Sequence, residues 1–519
     1  MNLVSDQWMR VKCRDGTEKV IAPYQLTGFL GDETVIDVVA PRADLKGALY
    51  QFLIGLVQTC FAPRDEDEWE EYWLEPPASE MLQKAFDKYS NAFELESFMQ
   101  DYDLPEGEQK PISALYIEAP GGKTTRDNLD HFIKGGTVNH VDAYWAALSL
   151  FTLQINAPSG GVGHRVSVRG GGPLTTLIMP SESADKNTLW HRIWLNILTQ
   201  EEIDSLVINH ECNKEADIFP WLAPTRTSEK KDGETHPEHA HPYQMYWCMP
   251  RRICLDIENT TSGVCDITGR QSDQLLSHFI TKNYGVNYSG NWQHPLTPYN
   301  VDPQKGAFSI KAQPGGITYR HWLGLVLDDA GNHKQVAKVV DVYDRMRRSR
   351  IDGDFVPRLW AFGYDMDNMK ARCWYEASLP LFNVPEAKRD DMYEFTVVMV
   401  EAVVEVIGNV RNAIKSVWFN RPKDAKGDLS FVDIEFWVQT EVRFYQLVEK
   451  ALSVGCDEEK IAAIKQQWRN YLYGKALSLF DHWALSAGNE DGDMKRSVKA
   501  RTDLEKWLRV GKKIKKLAA

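Results

Sequence analysis

Apolar positions divide the chain into two textures. From Pro385 onward they recur at helical spacing, the mark of helices with one buried face. In "PEAKRDDMYEFTVVMVEAVVEVIGNVRNAIKSVWF", Met392, Phe395, Met399, Val403 and Val406 form one stripe. Pro385 stands at its start and acidic residues fill its first turns. A second helix is predicted over Phe431–Leu452, carrying Phe436, Trp437, Phe444 and Leu447. A third covers Glu458–Leu485, with Ile461, Ile464, Trp468, Tyr471, Leu472, Leu479 and Trp483. A fourth runs from Asp493 to Leu517. Four long amphipathic helices with short connections predict an antiparallel four-helix bundle, and their aromatic stripes read as core.

Before Pro385 the pattern is irregular. Short β-like runs such as "VKCRDGTEKVIAP" and "YRHWLGLVLDD" alternate with Gly/Pro turns. The apolar run "ALYQFLIGLVQTCFAP" predicts a buried helix over Leu45–Cys60. The acidic, aromatic "RDEDEWEEYWLEPP" after it reads as a solvated helix face. The expected class is α+β: a large, irregular mixed α/β domain over residues 1–380, then a four-helix bundle over residues 381–519.

Composition narrows the function classes. The chain has 519 residues, of which 43% are hydrophobic and 26% charged, as in ordinary globular proteins. A net charge of −13 argues against a free-standing, non-specific nucleic-acid binder. The last helix reverses that sign. Lys495, Arg496, Lys499, Arg501, Lys506, Arg509, Lys512, Lys513, Lys515 and Lys516, less Asp503 and Glu505, leave +8. Such a helix is either a solvated end or a contact for phosphate or an acidic partner. The N-terminus "MNLVSDQWMRVKCRDG" has no apolar export core, and no run is long enough to span a membrane. The eight cysteines contain no C-x-x-C pair and read as reduced thiols of a cytoplasmic protein.

No enzyme signature stands out. The chain lacks G-x-x-x-x-G-K-[ST], G-x-S-x-G and H-E-x-x-H. The cluster His236, His239, His241 and Cys248 offers zinc-type ligands, but two prolines interrupt it. A polar surface loop is the simpler reading, and a metal-dependent hydrolase the remote alternative.

Three segments invite a nucleic-acid reading. "NAPSGGVGHRVSVRGGGPLTTLIMP" holds six glycines with Arg165 and Arg169. Side-chain-free backbone can turn its amides on an anion or lie in a groove, and the arginines would help hold phosphate. A flexible surface turn explains the same residues. "AFGYDMDNMKARCWYE" predicts a turn over Met366–Lys370 between strand-like flanks, its tip offering Asn368, Met369 and Lys370. An apolar or amide side chain at such a tip can part stacked bases; an ordinary packed hairpin is the alternative. "FITKNYGVNYSGNWQHPLTPY" sets Lys282 and Asn283 beside Tyr284, either a nucleic-acid surface or a rigid loop.

Taken in order, "NLVSDQWMRV", "ALYQFLIGLVQTCFAP", "NAPSGGVGHRVSVRGGGPLTT", "GYDMDNMKARCW" and the helical end resemble the CasA family, the large subunit of the type I-E CRISPR surveillance complex Cascade. The resemblance implies a non-catalytic protein that recognises the protospacer-adjacent motif in double-stranded DNA, starts strand separation and recruits a helicase–nuclease, while CRISPR RNA reads the target. It places the family's glycine loop on Ser159, Gly160, Gly161, Val162 and Gly163, its minor-groove lysine on Lys282 or Asn283, and its wedge on Asn368, Met369, Lys370 and Ala371. Some members carry glutamine at the wedge tip; this chain offers Met369 or Lys370 there. "GGKTTRDNLDHFIKGG" resembles a family loop that contacts nucleic acid near the 5′ end of the guide, which would use Lys123, Arg126, Asn128 and His131. The implied partners are target duplex, CRISPR RNA, the other Cascade subunits and the helicase–nuclease. Zinc-binding cysteine pairs of some relatives are represented only by Cys254 and Cys265, so no metal and no cofactor are expected.

Overall fold

The computed structural model describes residues 1–104, 106–120, 126–127, 135–182, 184, 186–230, 233–304, 306–351, 357–367, 370–419, 421, 427–455, 457–486 and 494–518. They pack as two units. One comprises Met1–Ala312 with Gln335–Ser378; the other comprises Gln313–Lys334 with Leu379–Ala519.

The principal strands of the first unit, in chain order, are β1 (Met9–Cys13), β2 (Glu18–Ile21), β3 (Val35–Val38), β4 (Glu108–Pro111), β5 (Thr175–Met179), β6 (Arg252–Leu255), β7 (His278–Lys282), β8 (Arg358–Asp367) and β9 (Lys370–Pro380). They form three small sheets, ordered β2-β1-β3, β4-β7-β6 and β9-β8-β5. Three helices matter most: α1 (Ala43–Cys60), α2 (Glu66–Leu74) and α3 (Ala143–Asn156). After Lys46, α1 carries no charge, so nearly every side is apolar and the helix lies within the core. Phe52 alone meets the rings of Trp8, Phe93, Phe98, Phe151 and Trp247.

The acidic segment forms α2, capped by Asp65, whose carboxylate accepts from the Asp67 and Glu68 amides. It is only partly the solvated face expected. Trp69 and Trp73 are buried and stacked 5.7 Å apart. Glu66 is buried against Arg347 at 2.9 Å, while Arg350 takes Asp67 and Glu70 at the surface. Distant arginines turn this charge run inward, and no local pattern announces them.

The second unit contains the bundle: α4 (Arg389–Trp418), α5 (Ser430–Val454), α6 (Glu458–Asp481) and α7 (Met494–Val510). All five residues of the α4 stripe are buried, as are Phe436, Trp437, Phe444, Leu447, Ile464, Trp468, Leu472 and Leu479. Buried Trp468 donates its indole N–H to the Met399 carbonyl at 3.1 Å, so its polar edge is satisfied inside the bundle. Two expectations need correction here. "YRHWLGLVLDD" is not a strand: Tyr319–His321 is a short 3₁₀ helix, and the Tyr319 ring stacks on Phe444 at 4.3 Å. The last helix is also not continuous. It stops at Val510, and a short helix α8 (Lys512–Lys515) restarts after Gly511. The Glu405 carboxylate accepts the amides of Lys512, Lys513 and Ile514, capping that new start.

Candidate nucleic-acid interface

The six glycines serve two different purposes. α3 ends at Asn156, and the chain leaves it through Ala157 and Pro158. Ser159, Gly161 and Val162 are exposed, Val162 at 71%. The second cluster turns inward. Gly170 donates to the Ser167 carbonyl at 2.9 Å, and Gly172 donates to the Asn156 carbonyl at 2.9 Å. A methyl at Gly171 would sit 2.6 Å from Pro158 Cα. At Gly172, where φ is +58°, it would sit 2.5 Å from Met366 Cγ. Gly170–Gly172 is therefore a packed foot, and Ser159, Gly161 and Val162 face outward.

Gly163 joins this loop to the end of β7. Its φ is +74°, and a Cβ there would lie 2.9 Å from both the Tyr284 ring and the Tyr284 amide. Its carbonyl accepts that amide at 2.9 Å. Only glycine meets both demands. Tyr284 itself has φ +66°, an unusual conformation for a side-chain-bearing residue. Lys282 and Asn283 precede it, both exposed, and Lys282 makes no ion pair with a described residue. Burial and nearby Arg251 lower the pKa of His164 below its ordinary value, with Asn283 opposing them only in part. The glycine loop and the Lys282–Asn283 pair thus form one surface.

The predicted turn falls between β8 and β9, which are neighbours in one sheet. Asn368 and Met369 lie outside the described residues; Lys370 is exposed and Ala371 partly so. Its stem is anchored in the core. Tyr364 donates its hydroxyl to Asp44 of α1, and the Phe362 ring lies 5.5 Å from Trp374. Near the tip, Arg372 grips buried Asp365 with two hydrogen bonds of 2.7 and 3.0 Å. That bidentate pair fixes the two strands beside the turn. The Gly172–Met366 approach links this hairpin to the glycine foot.

Both arginines of the glycine stretch have structural duties instead of the phosphate contacts expected. Arg169 is 3% exposed and donates to Thr175, Thr297 and Gln51. Arg165 donates to the Ser228 hydroxyl and carbonyl at 2.8 and 3.2 Å and lies over the Tyr284 ring. Of the docking-loop residues, Lys123, Asn128 and His131 lie outside the described residues. Arg126 is exposed and pairs with Asp127 at 3.3 Å. It also lines a cavity of about 840 Å³ that Pro158, His164, Thr281 and Arg251 share. Sequence reading passed over Arg251 and Arg372. The first was one of two adjacent arginines in "PRRICL", with nothing local to tell them apart.

The histidine cluster is used for backbone capping. His239 Nδ1 accepts from the His236 amide and His241 Nδ1 from the Tyr243 amide. Cys248 is buried. Among the described residues, no group of three or more His, Cys, Asp or Glu is arranged to hold a metal, and no helix is long and apolar enough to cross a membrane.

In the second unit, the basic α7–α8 segment is partly neutralised. Arg501 pairs with Asp481 and Glu505, and Lys513 and Lys516 pair with Glu401. Lys499, Lys506, Lys512 and Lys515 are exposed and make no ion pair with a described residue.

Comparison with known proteins gives a consistent answer. The pattern of the family described as CRISPR-associated protein Cse1 matches residues 2–479. The fold is similar to the crystal structure of Thermobifida fusca Cse1, with TM-score 0.69 and 15% identity over 100% of this chain and 98% of that one. It is similar to Cse1 from Acidimicrobium ferrooxidans, with TM-score 0.66 and 14% identity over 100% and 99%. A chain of a structure titled "CRISPR RNA-guided surveillance complex" matches with TM-score 0.67 and 14% identity over 98% and 99%. The mixed α+β fold with a helical bundle is thus the fold of these proteins.

Proposed function

The chain belongs to the CRISPR-associated Cse1 family, and from that premise we propose that it is the large, non-catalytic subunit of a CRISPR RNA-guided surveillance complex. In this reading residues 1–380 recognise the protospacer-adjacent motif in double-stranded DNA and begin strand separation, and residues 381–519 form the bundle. The assembly pairs its CRISPR RNA with the target and recruits a helicase–nuclease.

The observation that carries the proposal is the joining of Ser159–Gly163 to Lys282 and Asn283 through the Gly163–Tyr284 contact. A loop without bulky side chains can enter the narrow minor groove, beside an amide and a lysine able to reach base edges and phosphate. Minor-groove patterns are degenerate, so such a reader tolerates several motif sequences. The hairpin supplies the second half. Its stem is clamped by Arg372–Asp365, so Asn368–Ala371 can press on a base step without the strands folding away. Parting one step costs about a few kcal/mol, which pairing with the guide RNA and backbone contacts offset.

The test is motif-dependent duplex binding by the assembled complex, with and without this chain, at stated salt. Tight binding should require both the motif and the chain. Equal binding of motif-bearing and motif-free duplex, with the chain present, would leave it a structural cap.

A further inference from the structure

The cavity of about 840 Å³ beside the glycine loop contains a half-buried cation, Arg251, that makes no ion pair with a described residue. Arg251 is held by its backbone: its amide donates to Gln154 Oε1 and its carbonyl accepts from Gln154 Nε2, both at 2.9 Å. Its guanidinium donates through Nη2 to the Pro158 carbonyl at the root of the glycine loop. Its Nε is buried with no hydrogen-bond partner. Burial lowers its pKa to about 10.

The buried arginines of this unit are treated differently. Arg252 pairs with Asp101 at 2.6 Å and Arg347 with Glu66 at 2.9 Å. Arg169 has three neutral acceptors. Arg251 has one carbonyl and no ion pair with a described residue. Leaving a half-buried charge uncompensated, with its Nε shut off from solvent, is costly, so the arrangement suits an anion that arrives from outside. Leu153, Ile253 and Phe279 give the same cavity apolar walls, and its volume lies in the range of small-molecule sites. A carboxylate side chain would leave those walls bare.

We propose that this cavity receives one unstacked nucleotide of a nucleic-acid strand, its phosphate on the Arg251 guanidinium and its base against Leu153, Ile253 and Phe279. The proposal rests on the nucleic-acid reading given above and adds a second, single-nucleotide site to it. Guanidinium geometry favours bidentate phosphate contact, and a base stacks on an aromatic face such as that of Phe279 whatever its sequence.

The test uses the full chain and adenosine 5′-monophosphate, titrated calorimetrically at low salt. The expected result is one site, weakened at least about tenfold in Arg251→Met and several-fold in Arg251→Lys, which keeps the charge but loses the fork. Adenosine without phosphate should bind the native chain and Arg251→Met alike. Thermal melting checks that the variants fold; if Arg251→Met does not, Arg251→Lys decides. Absence of binding by the native chain, or equal binding by Arg251→Lys when it alone folds, overturns the proposal. Equal binding by folded Arg251→Met does the same. Displacement of the nucleotide by an equal concentration of glutamate also overturns it and assigns the cavity to a protein carboxylate. Failure here leaves the duplex reading intact, because that reading is measured on motif-bearing duplex with the assembled complex.

Discussion

Gly161→Asp separates binding from folding. Gly161 is exposed with φ +74°, and the nearest atom to an added Cβ is His164 Cδ2 at 3.9 Å. A side chain there meets no wall. Its cost is the left-handed backbone alone, about 1 kcal/mol, and aspartate is among the residues that tolerate that region best. A domain with ~5–15 kcal/mol of stability keeps its fold. On DNA the outcome differs. A carboxylate about 5 Å from a phosphate repels it by about 1 kcal/mol in a water-like medium and ~3 kcal/mol at a protein surface. Affinity of the assembled complex for motif-bearing duplex should therefore fall about 5- to 150-fold, while thermal melting moves by only a few degrees. The loss should be larger at 50 mM than at 200 mM salt, because exposed charges are screened. Binding within twofold of the native complex at both salts would remove this loop from the interface. Gly163→Ala makes the opposite contrast. Its methyl meets the Tyr284 ring and amide at 2.9 Å at φ +74°, so it should cost about 2–4 kcal/mol of stability.

Lys282→Ala and Lys370→Ala should each weaken duplex binding and lower the salt slope of the assembled complex by about one; unchanged slopes would place both lysines off the DNA. His191 is 5% exposed and burial lowers its pKa from 6.5 to about 4. The folded chain thus resists a proton that the unfolded chain accepts, so stability is full above pH 6.5 and is lost as pH falls toward 4. Denaturant titrations should show about 2 kcal/mol lost between pH 6.5 and 5, and His191→Gln should flatten that slope; equal slopes would refute the assignment. Arg347→Met should cost about 3–5 kcal/mol by stranding buried Glu66, read as a shift in denaturation midpoint; a shift under 1 kcal/mol would mean that Glu66 finds other partners.

The legible parts of this fold were those set by short-range period. The α4 stripe from Met392 to Val406 is buried residue for residue, because a helix face needs only i, i+3 and i+4 neighbours to declare itself. The predicted Leu45–Cys60 helix is found as Ala43–Cys60, and the strand-like flanks of the predicted turn are the neighbouring strands β8 and β9. What failed depended on partners distant in sequence. Arg169 and Arg165 are identical in type and close together, yet Gln51 and Thr297 bury one and Ser228 ties the other. "YRHWLGLVLDD" reads as a β-like run, yet Tyr319 and Trp322, spaced three apart, are buried against sequence-distant partners, among them Phe444 and the Pro380 carbonyl. Glu66 reads as solvated until Arg347 arrives from far along the chain. The glycine loop was legible as glycine but not as two clusters, since composition does not say which glycines face Met366 and which face solvent.

The acidic chain and its proposed DNA contact are compatible on energetic grounds. The net charge is −13, yet Lys282 and Lys370 are exposed and make no ion pair with described residues. Most arginines of the region, by contrast, already have protein acceptors: Arg165 at Ser228, Arg252 at Asp101 and Arg372 at Asp365. Two free lysines neutralise about two phosphates, for a salt slope near −2, far short of what a free-standing binder needs against ~10⁶ competing sites. The weak contact becomes useful only when the rest of an assembly holds the duplex nearby and makes the encounter intramolecular. It also becomes selective, because a contact too weak to hold DNA alone adds to binding only where Ser159–Gly163 and the hairpin engage together. A strongly basic loop would hold the complex on any duplex; a glycine loop with two unpaired lysines lets it leave.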